Sequence, residues 1–475
     1  MTLTPKRRKP YRAMSLSEKY YRVLQNFMSH KHQKEYGFSK RFTQNQLLKT
    51  TPEDIVRWFN RLVYHNENPG HDDHCIHGRA NTLRTYKKSL SFHMPMKMIP
   101  WNIISNCGNP TRAPQVNDMI KLVVRKELRK QGKSSQARIE FVDPEWIEVM
   151  TVIQENFNHY EAAFLSGVFR FQFSLIARIY DACKFQIANL FENPDPDHRE
   201  YSISCRLCWS KNVHDKRDAP MQVLLGSKDP KYCVLIGLAT WLEIFLGTGH
   251  HHTTQFIFGI EGLNDAAVIN AKVSRVITAI VKDPNFAIIC EGSKGSHSNR
   301  KYATTRARRN GCDQEEVDQR ARWKKRKGQQ DDYCNPTILT VDGIVAEKLC
   351  MGGCIYYHIK ESSKITNSWI LNHVVPLING KFGSGIAIPL GRALLFRILD
   401  PDERKNVHPS IVNRVLNAYK VCSRDSDLAD GENAIAQVPL IVGNNAGTFI
   451  LEPFYTEDHL TLNADGVPRR IYEED

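Results

Sequence analysis

The chain has no long uninterrupted apolar run. Its most apolar window, Val234 to Leu246, is broken by Glu243 and closed by Gly247. That is well short of the roughly 20 residues that span a bilayer, so no membrane partner is expected. Behind the basic run Lys6-Arg7-Arg8-Lys9 there is no apolar stretch, and the h-region of a secretory signal is therefore lacking. The run itself reads either as a nuclear address or as a solvated arm. The 12 cysteines are scattered, without the dense spacing of a small secreted disulfide framework, which points to free thiols in a reducing intracellular compartment. No internal repeat or low-complexity tract is present. Acid is in deficit: 51 Asp and Glu stand against 65 Lys and Arg, a formal charge of +14. Such an excess points to a polyanionic partner, nucleic acid first.

Metal-ligand pairs exist only as halves. His71, His74, Cys75 and His77 cluster, as do Cys205 with Cys208, Cys350 with Cys354, and His250-His251-His252. A structural zinc site wants four ligands, usually as two spaced pairs, and none of these finds its second pair in sequence. No metal or other cofactor is expected.

At 475 residues the chain is long enough for two or three domains. Residues 1–135 read as helical; Pro52 to Phe59 has apolar positions at helix spacing after a Thr51 cap. From Arg79 to Phe92 a second helix interleaves Arg79, Arg84, Lys87 and Lys88 with an apolar stripe of Leu83, Tyr86, Leu90 and Phe92. Its basic flank either lies along phosphates or is an ordinary solvated face. The polar run Lys130 to Ser135 marks a boundary. A domain over 136–345 follows, with periodic helices at Trp146 to Phe157 and Tyr160 to Leu190 and a strand hairpin over Ser202 to Leu225. Residues 346–475 form a C-terminal region without an assigned role. The expected fold is mainly α with a small antiparallel β-sheet, an α+β arrangement.

One constellation carries chemistry. In Lys294 to Tyr302, a Gly-Ser step opens a helix that sets His297 and Arg300 three apart on one face. A guanidinium whose fork matches two phosphate oxygens, beside an imidazole that exchanges a proton, suits a phosphate in transfer. Downstream, Asp313 and Glu316 form a capping box for a helix that delivers Trp323, and Tyr333 stands ten residues on. Upstream, Arg178 sits in an apolar helix with Asp181 to brace it, and the hairpin carries Lys211 and Lys216 in its turn.

Arginine, hairpin lysine, H-x-x-R, tryptophan and tyrosine in that order resemble the tyrosine recombinases, a family that includes phage integrases. Trp209-Ser210-Lys211-Asn212 with Arg217-Asp218-Ala219-Pro220, then Gly295-Ser296-His297, Arg300-Lys301 and Gly311-Cys312, are similar to the recombinases of Crypton mobile elements. The resemblance covers residues of about 140 to 360 well and the first domain loosely. It implies a helical core-binding domain ahead of a catalytic domain that together clamp double-stranded DNA, and a homo-oligomer, dimer or tetramer, working in the nucleus.

The implied mechanism is covalent catalysis by Tyr333, which attacks the scissile phosphorus to form a 3′-phosphotyrosyl bond and release a 5′-hydroxyl. Arg178 and Arg300 bracket the non-bridging oxygens, His297 bonds the same phosphate and assists with the phenol proton, and Trp323 packs or donates its indole N–H. Lys211 protonates the leaving oxygen; Lys216 competes for that role, and the residue match favours Lys211. Because the phosphotyrosine conserves the bond, neither ATP nor metal is implied. Lys324, Lys325, Arg326 and Lys327 are expected to grip backbone phosphate. Asn299 stands where the family usually has an aliphatic residue, so its amide faces solvent or the helix packs differently. Tyr302, Tyr356 and Tyr357 are rival nucleophiles by type. A type IB topoisomerase-like relaxer and a catalytically silent DNA-binding protein are the competing functions.

Overall fold

Short polar side chains set where several helices of this chain begin. In a computed structural model the described residues run from 15 to 440, apart from 38, 71, 136, 211–212, 214–218, 261–264, 324–338, 362 and 424–433. Two units result, Met1–Gln136 and Ala137–Asp475.

The first unit holds α1 (Leu16–Lys31), α2 (Gln44–Leu48), α3 (Pro52–Tyr64), α4 (Ala80–His93) and α5 (Pro114–Leu128). Ser15, Thr43 and Thr51 each accept the backbone N–H three residues on, in full capping boxes. Phe27, Ile55, Phe59, Leu83, Leu90, Val116 and Val123 fill its core. Trp58 stacks on Tyr86 with ring centroids 5.4 Å apart. The stripe expected on α4 therefore holds at Leu83, Tyr86 and Leu90. Phe92 departs from it and is 43% exposed. Two residues at about 100° each put its side chain on the opposite side of the helix from Leu90.

The second unit runs α6 (Asp143–Asn156), α7 (His159–Ser174), α8 (Ile179–Cys183), β1 (Leu190–Glu192), β2 (Ile203–Cys205), β3 (Gln222–Leu224), β4 (Gly226–Ser227) and α9 (Val234–Gly247). It continues with α10 (Ala266–Ile280), α11 (Ser296–Arg309), α12 (Gln314–Arg320), α13 (Leu339–Leu349), β5 (Cys354–Ile359) and α14 (Asn367–His373). After these come α15 (Pro376–Phe382), α16 (Ser384–Leu399), α17 (Pro401–Arg404), α18 (Pro409–Ser423) and β6 (Ile435–Pro439). Two three-stranded antiparallel sheets, β1-β2-β3 and β4-β5-β6, accompany the helices. The fold is mainly α with small antiparallel sheets. The hairpin read from Ser202 to Leu225 is β2 and β3, in register Ile203 with Leu224 and Cys205 with Gln222.

Helix α9 is the apolar window of the sequence, and it is buried along Val234 to Leu246 between α7 and α16. No helix among the described residues is long and apolar enough to cross a membrane. Glu243, which interrupts the window, is ion-paired to Arg414 at 2.8 Å and accepts the Ile378 N–H. Residues beyond 345 share this core: Ile355, Ile370, Leu390, Leu394 and Val415 pack in one cluster with Trp146, Phe169 and Trp241.

The long helix expected over Tyr160 to Leu190 is instead two. Helix α7 stops at Ser174, where Ile176 N–H bonds Phe173 O at 3.1 Å and Ala177 N–H bonds Gln172 O at 3.0 Å. That pair of bonds is a Schellman closure, with Ile176 in the left-handed position at φ 46°. Apolar periodicity runs through the break because both sides of it are buried, so the pattern alone does not reveal it.

A buried ion pair ties the second unit together. Arg320, fully buried, donates to Asp342 Oδ2 at 2.5 Å, to Ser174 O at 2.9 Å and to Val223 O at 3.1 Å. Arg320→Met leaves a buried carboxylate unpaired and should lower unfolding stability by about 3–5 kcal/mol in urea titration. The double variant with Asp342→Leu should recover a good part of that loss. Equal stability of Arg320→Met and the parent would contradict this reading.

Candidate phosphate-binding site

Helix α11 carries the H-x-x-R pair, and its approach is anchored from α6. Glu145, with a fully buried side chain, receives Lys294 Nζ at 2.8 Å, Ile289 N–H at 3.0 Å and Cys290 N–H at 3.2 Å. Gly295 then caps the helix, its N–H bonded to Ser298 Oγ at 3.1 Å. Asn299 resolves the two readings left open for it, because its amide points inward. It accepts Trp146 Nε1–H at 2.9 Å and donates to Phe169 O at 2.8 Å and Gln172 Oε1 at 3.1 Å. An aliphatic residue there would leave the indole N–H without this partner. With Asn299 turned inward, His297 remains exposed at the start of the helix, while Arg300 is buried.

Arg300 donates to Ala321 O at 2.8 Å, and its guanidinium lies 5.3 Å from the centre of the half-buried Trp323 ring. Its Nε is buried with no hydrogen-bond partner among the described residues. Arg178, the residue preceding α8, reaches Asp181 Oδ2 at 3.4 Å and keeps 31% of its side chain exposed. Asp181 also accepts Ser210 Oγ–H at 2.8 Å, which links the start of the hairpin turn to the brace of Arg178.

Trp323 is aimed by a second Schellman closure. Helix α12, begun by the expected Asp313–Glu316 capping box, ends with Arg322 N–H on Gln319 O at 3.1 Å and Trp323 N–H on Asp318 O at 2.9 Å. Arg322 is the left-handed residue, at φ 55°. Its guanidinium donates to Gln222 Oε1 at 2.5 Å on β3 and to Leu175 O at 3.3 Å at the end of α7. Sequence reading missed Arg322 and the Asp181–Ser210 contact. Neither a glycine at the helix end nor a motif position marks them.

The electrostatics of the cluster are one-sided. Burial, then the charges of Arg178 and Arg322, pull the Arg300 pKa down to about 9, and Asp181 offsets this only in part. Partial burial, then Arg300, Lys301 and Arg178, push His297 below its ordinary value. Arg178 thus acts on both members of the H-x-x-R pair. Cationic groups that repel one another around an unpartnered buried N–H form a place where an anion relieves both penalties.

The remaining expected site residues divide into two groups. Lys211, Lys216, Lys324, Lys325, Arg326, Lys327 and Tyr333 lie outside the described residues. Of the rival tyrosines, Tyr302 is buried, bonded to Asp143 at 2.5 Å and Tyr232 at 3.0 Å, and its pKa is pushed far up by burial. Tyr357 is buried against Cys233 at 3.1 Å, and Tyr356 packs beside Tyr201. In the first unit, Arg84 and Lys88 are exposed, as expected of a basic flank. Arg79 and Lys87 depart from that picture. Arg79 bonds Ser135 Oγ at 3.3 Å and lies 3.7 Å from Glu127, and Lys87 donates to Asn117 Oδ1.

No family model and no curated protein matches the chain. Among solved structures, a lambda integrase tetramer bound to a Holliday junction is similar over 66% of this chain and 77% of that one, at 10% identity and a TM-score of 0.29.

Inorganic sulfate, at ionic strength matched with chloride, should stabilise the protein through this cluster. About 1.4 kcal/mol is expected at a roughly tenfold excess over Kd. The gain, read as a thermal shift, should vanish in Arg178→Ala. A shift unchanged in that variant would place the anion elsewhere.

Proposed function

We propose that this chain is a DNA strand-exchange enzyme of the tyrosine recombinase kind, with Tyr333 as nucleophile. The observation that carries the reading is the convergence of Arg178, His297, Arg300 and Trp323, from three separate stretches of chain, around a buried guanidinium N–H that has no partner among the described residues. Their order along the sequence, with a hairpin lysine between the first and second, supports the same assignment.

In the proposed reaction the Tyr333 phenol oxygen attacks the phosphorus of a DNA phosphodiester, and the bond from phosphorus to the 5′-oxygen breaks. Arg178 and Arg300 hold the non-bridging oxygens, where charge accumulates in the transition state. A phenol keeps its proton to pH ~10, so it needs a base within reach. His297, whose pKa burial and then its cationic neighbours lower, accepts that proton. Lys211 gives a proton to the departing 5′-oxygen, and Trp323 supports the guanidinium of Arg300. The phosphotyrosyl bond conserves the energy of the diester, so a 5′-hydroxyl of a second strand reverses the step and completes exchange.

Double-stranded DNA is the proposed partner, met by the exposed Arg84 and Lys88 of the first unit and the basic run Lys324 to Lys327 of the second. Two sites must be cut and exchanged, so a dimer or tetramer on DNA is part of the proposal. The similarity of its motifs to Crypton recombinases, with the basic run at Lys6 to Lys9, supports a mobile-element integrase acting in the nucleus.

A nicked suicide duplex tests the central step, because loss of the short 5′-hydroxyl fragment traps the covalent intermediate. The parent chain should yield an adduct stable in denaturing gels, and Tyr333→Phe should yield none. A DNA-binding protein without catalysis gives no adduct in either case, and relaxation of supercoils without site preference would favour a topoisomerase instead. The pH profile follows from the lowered pKa of His297. Its active form is neutral, so cleavage should stay level through neutral pH and fall only below its ordinary value of about 6.5. In His297→Asn that acid limb should disappear along with most of the rate, and its persistence would remove His297 from the proton transfer.

A further inference from the structure

The first unit contains an open cleft of about 860 Å³ whose lining includes six cations, Arg84, Lys87, Lys88, Lys97, Arg112 and Lys121, and no carboxylate. Among the described residues only Lys121 has an acid within ion-pair distance, Asp118 at 2.9 Å. Lys87 is the innermost of them by burial, and its ammonium donates to the side-chain amide oxygen Oδ1 of Asn117 and meets no counter-charge among the described residues. Burial and the nearby Arg112 both disfavour its charge. A cation kept in such surroundings is one whose anion arrives from outside.

The apolar part of the lining has a definite character. Phe92, turned away from the core, is 43% exposed in the cleft. Tyr20 meets it edge-on at 5.6 Å, and Lys97 Nζ sits 4.4 Å from its ring centre. Duplex phosphate alone needs cations and no aromatic ring. A ring set among cations matches a group that pairs a flat π-face with a phosphate.

We infer that this cleft is a nucleoside-phosphate site, in which an unstacked base lies against Phe92 while its phosphate is held by Lys87, Lys88 and Arg112. The occupant follows from the DNA reading above and rests on it: a nucleotide in an unpaired stretch of the strand being processed. A free nucleotide has the same chemistry, and binding measurements separate the two sources.

Fluorescence anisotropy with the full chain, a labelled oligothymidylate and a labelled duplex of equal length provides the test. The parent should bind both. Phe92→Leu, which keeps an apolar side chain and discards the ring, should weaken the single strand about tenfold and the duplex by less than about twofold. Phe92→Tyr should bind as the parent does. Lys87→Met should weaken the single strand and reduce the slope of its salt dependence by about one. Thymidine 5′-monophosphate that displaces the oligonucleotide at equal nucleotide concentration assigns the site to free nucleotide; displacement only by a strand assigns it to DNA. Equal loss on single strand and duplex in Phe92→Leu, or no loss on either, overturns the cleft as a base site while leaving DNA binding intact. Absence of binding to any DNA by the parent contradicts the DNA reading itself, irrespective of Phe92.

Discussion

Helices α7 and α12 each end in a left-handed residue that is not glycine, and the candidate site is built on those two ends. Ile176 stands two residues before Arg178, and Arg322 immediately before Trp323. A side chain at this backbone position opposes the fold by about 1–2 kcal/mol, so each persists only where its surroundings leave no alternative. Ile176 is fully buried in the core of the second unit. Arg322 grips both Gln222 on β3 and the Leu175 carbonyl adjoining Ile176, so one strained end holds the other. This tie brings Arg178 and Trp323, far apart along the chain, toward the H-x-x-R helix.

Charge makes the same arrangement incomplete by itself. The neutral partners of Arg300 are a carbonyl and an indole ring, and Asp181 is committed to Arg178 and Ser210. Like charges are thus packed more closely than their counter-charge can balance, which is stable only because the rest of the unit is well buried. Strain in the backbone and repulsion among cations converge on one spot, where a bound anion would relieve the second. The proposed chemistry is a use of that imbalance, and it accounts for a neutral His297 beside two guanidinium groups.

Several of these features are legible in the residues alone. Thr51 with Pro52, Asp313 with Glu316, and the spacing of His297 and Arg300 each encode local geometry in side chains that act within one turn, and the helices stand there. Gly311 shows the limit of this legibility. It closes α11 at φ 97° with the same pair of bonds that Ile176 and Arg322 make, and a glycine in that position is readable. The other two closures are set by tertiary contacts over more than a hundred residues, to which apolar periodicity is blind. Asn299 was likewise undecidable, because its partners Trp146 and Phe169 come from other helices. Residue type alone assigns Phe92 to the apolar stripe, whereas helical phase puts it in solvent.

The most direct measurement is the structure of the protein on a nicked duplex with orthovanadate, which mimics the pentacovalent phosphorus. The account predicts vanadium bonded to the phenol oxygen of Tyr333, with the guanidinium groups of Arg178 and Arg300 and the His297 ring within hydrogen-bond reach of its oxygens. Vanadate held at another side chain, or a Tyr333 that faces a surface remote from Arg178 in every subunit, would contradict it.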